Sequence, residues 1–447
     1  MSLRKKAALA VSTVFLTTSI LSACSSSTES NADSKSKANE EKVTIKYYNW
    51  DNDVMQASTD KYIEQFEKEN PNIKVEHVSL VPGNSLDTLK KLDVLMASGE
   101  PIDLFMTPHI DAIYQRAAQG VVEPLDDLYK ENKLNPEEEY FVNPKYKGKY
   151  YGMLTNVSTN FVLLNKDALD KAGLDVPKAG WTWDEFADYA KKLTKGKGTE
   201  KQYGAYFHNW GLYANPISQV QFKHPFMTED GKTNFTDPSY EYFFNLRRQM
   251  EKKDKSIKPY ADVIGAKLNY RTEFFNGDAA MLLTGSWMIP DTGNIEQFPH
   301  EFKTAFAPVP VYKKGDDQEV YMGGNYLAIG KNSKHKEAAF KFARFISTNL
   351  TDARTELPGW KKGDAKPLVE KWISGKEKYY DVDALMYTLY GSGTKALPAS
   401  KVSITYAAQL DKILGDGFSQ FILEGKSAKD VQKWMTKEAN KVIDENK

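Results

Sequence analysis

From Val43 onward the chain switches repeatedly between two hydrophobic periods, and no other feature constrains its fold as tightly. Val43, Ile45 and Tyr47 interleave with Thr44, Lys46 and Tyr48, the period of a strand. A polar loop, Asn49-Trp50-Asp51-Asn52-Asp53, follows, and then a helix pattern carrying Ile63 and Phe66 that stops at Asn70-Pro71. A second strand is predicted over residues 73–80, after which Pro82-Gly83-Asn84 turns the chain. Asp87 is placed to cap the next helix, whose Leu89, Leu92, Leu95 and Met96 share one face before the stop Gly99-Glu100-Pro101. Residues 102–106 then form a short buried strand leading into Thr107-Pro108-His109. Strand and helix in alternation predict βαβ units and a mainly parallel sheet, whose ligands lie beyond the carboxyl ends of the strands. Trp50, Asp51, Asn84 and His109 all fall at that end.

The chain is 447 residues long, enough for two or three domain-sized units whose cores need no disulfide or metal. Its 60 basic residues balance 60 acidic ones, only seven of the basic ones are Arg, and no basic cluster is interleaved with aromatics, which excludes nucleic-acid binding. Catalytic signatures are absent: there is no G-x-S-x-G, H-E-x-x-H, G-x-x-x-x-G-K-[ST] or G-x-G-x-x-G. The six His are scattered without an i+3 or i+4 partner, and the Asp-rich starts at Asp51 and Asp316 do not continue as calcium loops. No metal and no cofactor is expected.

The single cysteine, Cys24, accounts for the amino terminus. Arg4, Lys5 and Lys6 precede a 15-residue apolar stretch over residues 7–21, too short to span a bilayer. The stretch ends in Leu21-Ser22-Ala23-Cys24, which resembles the lipobox of bacterial lipoproteins. That resemblance implies cleavage after residue 23, a diacylglycerol and an acyl chain such as palmitate on Cys24, and a protein anchored at the outer face of a bacterial cell membrane. Each buried methylene contributes about 0.8 kcal/mol, so several chains hold a protein without a transmembrane helix. Loss of the leader removes three positive charges and leaves a mature net charge of −3. Residues 24–42 carry no aromatic and no aliphatic side chain beyond Ala, the composition of a solvated tether with a reach of about 20–25 Å.

Aromatic residues carry the functional signal. In Trp181-Thr182-Trp183-Asp184-Glu185-Phe186, Thr182 and Glu185 fit a capping box and Trp181 with Phe186 a hydrophobic staple, so local helix rules account for those tryptophans. Core-facing stripes follow Ser333 (Ala338, Ala339, Phe342, Phe345, Ile346) and Ser427 (Val431, Trp434, Met435, Val442). Four of the other tryptophans sit beside small or polar residues: Asn49-Trp50-Asp51, Asn209-Trp210-Gly211, Ser286-Trp287 and Gly359-Trp360. In a chain with eight Trp, 25 Tyr and 22 Phe, this is the make-up of a sugar site. Pyranose C–H faces pack on rings, and buried hydroxyls need donors and acceptors.

Three segments together resemble family 1 extracellular solute-binding proteins, the maltodextrin-binding type that serves ABC importers. They are Phe274-Phe275-Asn276-Gly277-Asp278-Ala279-Ala280-Met281 through Gly285-Ser286-Trp287, Asn165-Lys166-Asp167 through Ala172-Gly173 with the Trp181–Phe186 block, and Gly323-Gly324-Asn325-Tyr326 through Glu337-Ala338-Ala339-Phe340. The resemblance implies a two-lobed α/β fold of the periplasmic-binding-protein (type II) kind, with hinge strands and a ligand cleft between the lobes. Lobe 1 would comprise residues 43–154 and 322–358, and lobe 2 residues 155–321 and 359–447. By the same resemblance Trp210 and Trp287 stack on sugar from lobe 2, Trp50, Asp51 and His109 contribute from lobe 1, and Asn156 and Asn325 lie at the crossovers. Trp360 joins them as a glycine-flanked tryptophan. Thr107-Pro108-His109 stands where maltodextrin binders often carry Trp, which argues against assuming maltodextrin.

The function implied is capture of an oligosaccharide by a monomeric lipoprotein and delivery to a membrane permease, without catalysis. Two alternatives stand beside it: a secreted lipoprotein that cleaves polysaccharide with a carboxylate pair, and the same fold binding a non-sugar polar solute.

Overall fold

The computed structural model describes residues 42–446 apart from 352, 399–401 and 403. It begins as the hydrophobic periods require, with β1 (Val43–Asn49), α1 (Asp53–Glu69), β2 (Ile73–Ser79), α2 (Ser85–Ala97), β3 (Leu104–Thr107) and α3 (Ile110–Gln119). β2 and β3 flank β1 in parallel, with Tyr47 opposite both His77 and Leu104. Two boundaries differ from expectation. Asn84, not Asp87, caps α2: its side-chain oxygen accepts the Asp87 N–H at 3.0 Å, leaving Asp87 as a favourable acid in the first turn. β3 starts two residues late because the Asp103 side chain does the pairing there, accepting the Lys46 N–H at 3.0 Å and the Ser333 hydroxyl at 2.6 Å.

Beyond α3 the sheet departs from the mainly parallel expectation. The later strands are β4 (Met153–Asn165), β5 (Met281–Gly285), β6 (Thr304–Pro308), β7 (Glu319–Ile329), β8 (Leu357–Pro358) and β9 (Lys395–Pro398). The main order is β8-β4-β7-β3-β1-β2; β5 and β6 add to β4, and β9 adds to β7. Only β1/β2, β1/β3 and β9/β7 are parallel; every other pair in this sheet is antiparallel. The cause is the length of two strands. At about 3.3 Å per residue, the 13 residues of β4 extend about 40 Å, more than one lobe needs. Its first half, 153–159, pairs with β7, and its second half, 160–165, pairs with β5 and β6. β4 and β7 thus cross between two lobes in opposite directions, which makes them antiparallel.

Alternation along β4 divides the cores. Phe161 and Leu163 join a cluster with Tyr47, Phe105 and Phe306, whereas Val162 and Leu164 join one built on α4 (Trp183–Leu193), with Trp181, Trp183, Phe186 and Phe207. The capping box of α4 is present, with Glu185 N–H to Thr182 Oγ1 at 3.2 Å and Thr182 N–H to Glu185 Oε2 at 2.6 Å. Trp181 packs on Phe186 with ring centroids 5.8 Å apart, as a staple should. After α5 (Pro216–Phe222) and α6 (Pro238–Arg248) come the short α7 (Tyr270–Phe275) and α8 (Lys336–Thr348). The chain ends in α9 (Ala407–Ile422) and α10 (Ala428–Glu445), whose Phe418, Phe421, Val431 and Met435 form a third core with Phe244 of α6. No helix among the described residues is long and apolar enough to cross a membrane.

Candidate functional site

The crossing segments meet at one level. Asn325 of β7 is the register partner of Asn156 on β4, and Asn156 is in turn the partner of Pro358 on β8. Gly324 permits this approach, since a Cβ there would stand 2.1 Å from the Asn156 carbonyl oxygen. Asn156 is 1% exposed; its Oδ1 accepts the Thr155 hydroxyl at 2.7 Å and the Asn325 N–H at 3.3 Å. Its Nδ2 is buried with no hydrogen-bond partner among the described residues. A buried donor left unpaired is costly, and a ligand oxygen would relieve that cost.

An aromatic basin lies on the second lobe. Trp210, in the loop after His208, stands edge-on to Trp287, which follows β5, with centroids 5.9 Å apart. His208, Tyr213 and Tyr270 close the ring at 4.8, 5.2 and 5.1 Å from Trp210. Trp210 and Trp287 keep part of their surface open, and the buried Trp287 Nε1 lies by the Tyr270 hydroxyl without forming a well-aligned hydrogen bond. Gly285 makes room for this arrangement, as a Cβ there would press into the Trp287 ring at 2.2 Å. Burial, reinforced by Arg271, pushes the His208 imidazole down to about 4, so it is neutral near pH 7; its Nδ1 lies 3.1 Å from the Tyr206 hydroxyl.

Charged groups lie after β1, on α7 and just before β8, and Arg271 on α7 touches the basin through Tyr270. Asp51, 3% exposed after β1, is held through Oδ2 by Asn49 Nδ2 at 2.7 Å and the Thr59 hydroxyl at 2.5 Å, with His77 Nε2 at 3.4 Å. Burial opposes the His77 imidazolium, but its hydrogen bonds to Asp51 and Asp60 prevail and raise its pKa. Trp50 is buried beside Asp51, its carbonyl accepting the Gly83 N–H at 2.7 Å. On α7, Arg271 Nε donates to Asp291 at 2.7 Å and another guanidinium N–H donates to the Tyr270 hydroxyl. Glu356, just before β8, accepts from Asn325 Nδ2 at 3.5 Å and feels the charges of both Asp51 and Arg271. Glu356, Arg271 and Asp291 all keep some surface exposed yet are strongly desolvated, the condition of groups lining a narrow cleft.

Of the residues expected in the site, Trp210 and Trp287 are in contact, as are Asn156 and Asn325; Asp51 adjoins the latter pair through Glu356. His109 stands apart from the basin. Its Nδ1 caps α3 by accepting the Ala112 N–H at 3.3 Å, and burial, with Arg116 and His224 adding and Asp111 opposing, lowers its pKa. Close by, Asp111 Oδ1 on α3 is 3.6 Å from His224 Nε2 after α5, a contact between segments far apart in the chain. Trp360 is not brought to the basin. Its Nε1 donates to Glu139 at 2.6 Å, in a cluster with Arg344 and Lys362 that outweighs burial and holds the Glu139 carboxyl down at about 2. Cys24 lies outside the described residues. His208, Tyr270, Arg271, Asp291 and Glu356 were not expected in the site, since nothing in their local sequence sets them apart. No cluster of three or more His, Cys, Asp or Glu among the described residues is arranged to hold a metal.

Residues 50–349 match the family described as bacterial extracellular solute-binding protein. The chain belongs to that family. This solute-binding protein is 25% identical over 319 residues to the sn-glycerol-3-phosphate-binding periplasmic protein UgpB of Escherichia coli K12, covering 68% of this chain and 70% of the relative. Its fold is similar to that of a Listeria monocytogenes ABC substrate-binding protein in complex with cycloalternan, with a TM-score of 0.75 at 24% identity, covering 90% of this chain and 99% of the other. It is also similar to UgpB of Mycobacterium tuberculosis in complex with glycerophosphocholine, with a TM-score of 0.70 at 17% identity and coverages of 90% and 99%. The family's members bind solutes, and this chain is a binding protein rather than an enzyme.

Proposed function

We propose that the protein captures an uncharged oligosaccharide between its lobes and presents it to the membrane permease of an ABC importer. The observation that carries this reading is the basin in which Trp210 and Trp287, with ring centroids 5.9 Å apart, expose part of their ring surface. Ring faces suit the C–H faces of a pyranose, and the unpaired Asn156 Nδ2 suits one of its oxygens. In this reading Asp51 and Asn325 bind hydroxyls near the hinge, and Trp50 and His109 shape the cleft wall on lobe 1. Trp360 is left out, because its indole N–H is already satisfied by Glu139. The lobes are assigned as residues 43–154 with 322–358, and 155–321 with 359–447. Cleavage before Cys24 would leave a monomer tied by lipid to the outer face of the membrane. Structural neighbours holding cycloalternan and maltotriose support a sugar ligand.

A second reading, a glycerol phosphate compound, is favoured by the UgpB relatives. A thermal-shift panel of the purified protein against starch- and mannan-derived oligosaccharides and sn-glycerol 3-phosphate separates the two. Ligand at 100 times its dissociation constant adds about 2.7 kcal/mol, a shift of several degrees. Stabilisation by a neutral oligosaccharide is expected; stabilisation by the phosphate alone rejects the sugar.

A further inference from the structure

We propose that Glu356 is the charge filter of the cleft, admitting hydroxyl-bearing neutral solutes and repelling anions. The proposal rests on the oligosaccharide reading of the same cleft and names the residue that sets its selectivity.

Two of the charges around it are paired elsewhere, and the third, Arg354, bonds carbonyl groups and sets its charge against Glu356. Arg271 is paired with Asp291 at 2.7 Å, and His77 with Asp51 and Asp60 at 3.4 and 3.1 Å. Arg354, two residues before Glu356, spends its guanidinium on backbone: it donates to the carbonyls of Ile346 and Asn349 at 3.0 and 2.9 Å, to that of Glu356 at 3.0 Å, and to Thr155. Glu356 has no ion pair of its own among the described residues, and its one hydrogen bond, from Asn325 Nδ2, is a long 3.5 Å. It is also central. Its charge is felt by Tyr47 on β1 and Tyr62 on α1, and the charges of Asp51 after β1 and Arg271 on α7 act on it in turn. A carboxylate with free lone pairs accepts from sugar hydroxyls and repels a phosphate oxygen. Arg271 is held by Asp291 and Tyr270 and Arg354 by backbone carbonyls, so an entering anion meets the Glu356 carboxylate without a guanidinium fork already turned to receive it.

The charge on this filter varies with pH. Burial, with Asp51 adding and Arg354 and Arg271 opposing, pushes the Glu356 carboxyl up to about 7, so it is mostly neutral at pH 6 and mostly ionised at pH 8. Rejection of anions should therefore strengthen between those values.

Calorimetric titration of the purified wild-type protein and its Glu356→Gln and Glu356→Asp variants with sn-glycerol 3-phosphate, at pH 6 and pH 8, tests this. Comparing variants at one pH cancels the titration of the phosphate itself. Glu356→Gln is expected to bind the anion at least about tenfold more tightly than wild type at pH 8 and within about threefold of it at pH 6. Glu356→Asp, which keeps the charge, should stay close to wild type at both. No gain for Glu356→Gln at pH 8, an equal gain at both pH values, or a gain in Glu356→Asp overturns the filter. Titration of wild type with the oligosaccharides of the thermal panel is the separate arm: failure to bind any of them rejects the sugar reading, whatever the anion series shows.

Discussion

At the scale of single residues, the account turns on groups whose surroundings contradict their exposure. Glu356 is the sharpest case, and its raised pKa has a consequence for stability. The folded chain holds a proton to about pH 7 that the unfolded chain releases near 4.5, so this stabilisation is complete below 4.5 and lost as pH rises to 7. The full effect amounts to at most about 3 kcal/mol. Urea unfolding across pH 4.5–8 should show wild type losing stability over that window more steeply than Glu356→Gln; parallel curves would refute it. The Glu139 cluster acts with the opposite sign but in a different range, since its contribution is lost only as pH falls from 4.5 toward 2. Trp210 and Trp287 stood out in the sequence because each is a large ring among glycine and polar residues, and the structure brings the two rings together while one side of each packs on a core. Glu356, Tyr270 and Arg271 did not, because their local sequence is ordinary and their meaning comes from residues far along the chain. Trp360 shows the limit of the same signal: it too follows a glycine, yet a carboxylate from residue 139 claims its indole.

At the scale of elements, local rules worked where a structure closes on itself. The capping box at Thr182, the cap at Ser427 and the strand-helix alternation through α3 depend on neighbours within a few residues. Strand direction does not. The sheet is mixed because β4 and β7 each run through both lobes, and no local period records which strand a residue 170 positions away will pair with. The hinge this creates depends on Gly324. Gly324→Ala should force β7 away from the Asn156 carbonyl and destabilise the protein by about 1–3 kcal/mol, read as a lower urea midpoint at unchanged slope. The Asp111–His224 contact gives a second check. His224 Nδ1 accepts the Phe226 and Met227 N–H groups at 3.2 and 3.1 Å, which turns Nε2 toward Asp111 Oδ1 at 3.6 Å. His224→Ala leaves Asp111 buried without that partner and should cost about 1–3 kcal/mol; an unchanged midpoint would dissociate the pair from stability.

At the scale of the molecule, two lobes on crossing strands are a device for closing on a solute, and closure requires a ligand that binds the closed arrangement better. Reversible capture and release suits a micromolar dissociation constant, about −8 kcal/mol. Small-angle scattering should show a smaller radius of gyration when the ligand is added, and a clearly smaller decrease for Trp287→Ala at a ligand concentration near the wild-type dissociation constant. The most direct test of the central claim is calorimetric titration of the purified protein, and of its Trp287→Ala variant, with the neutral oligosaccharide that stabilises it most. The account predicts one saturable site in wild type and a weakening of about fivefold or more, on the order of 1 kcal/mol, in a Trp287→Ala variant that still folds. Identical affinity in the two proteins, or no binding of any neutral oligosaccharide by wild type, would contradict it.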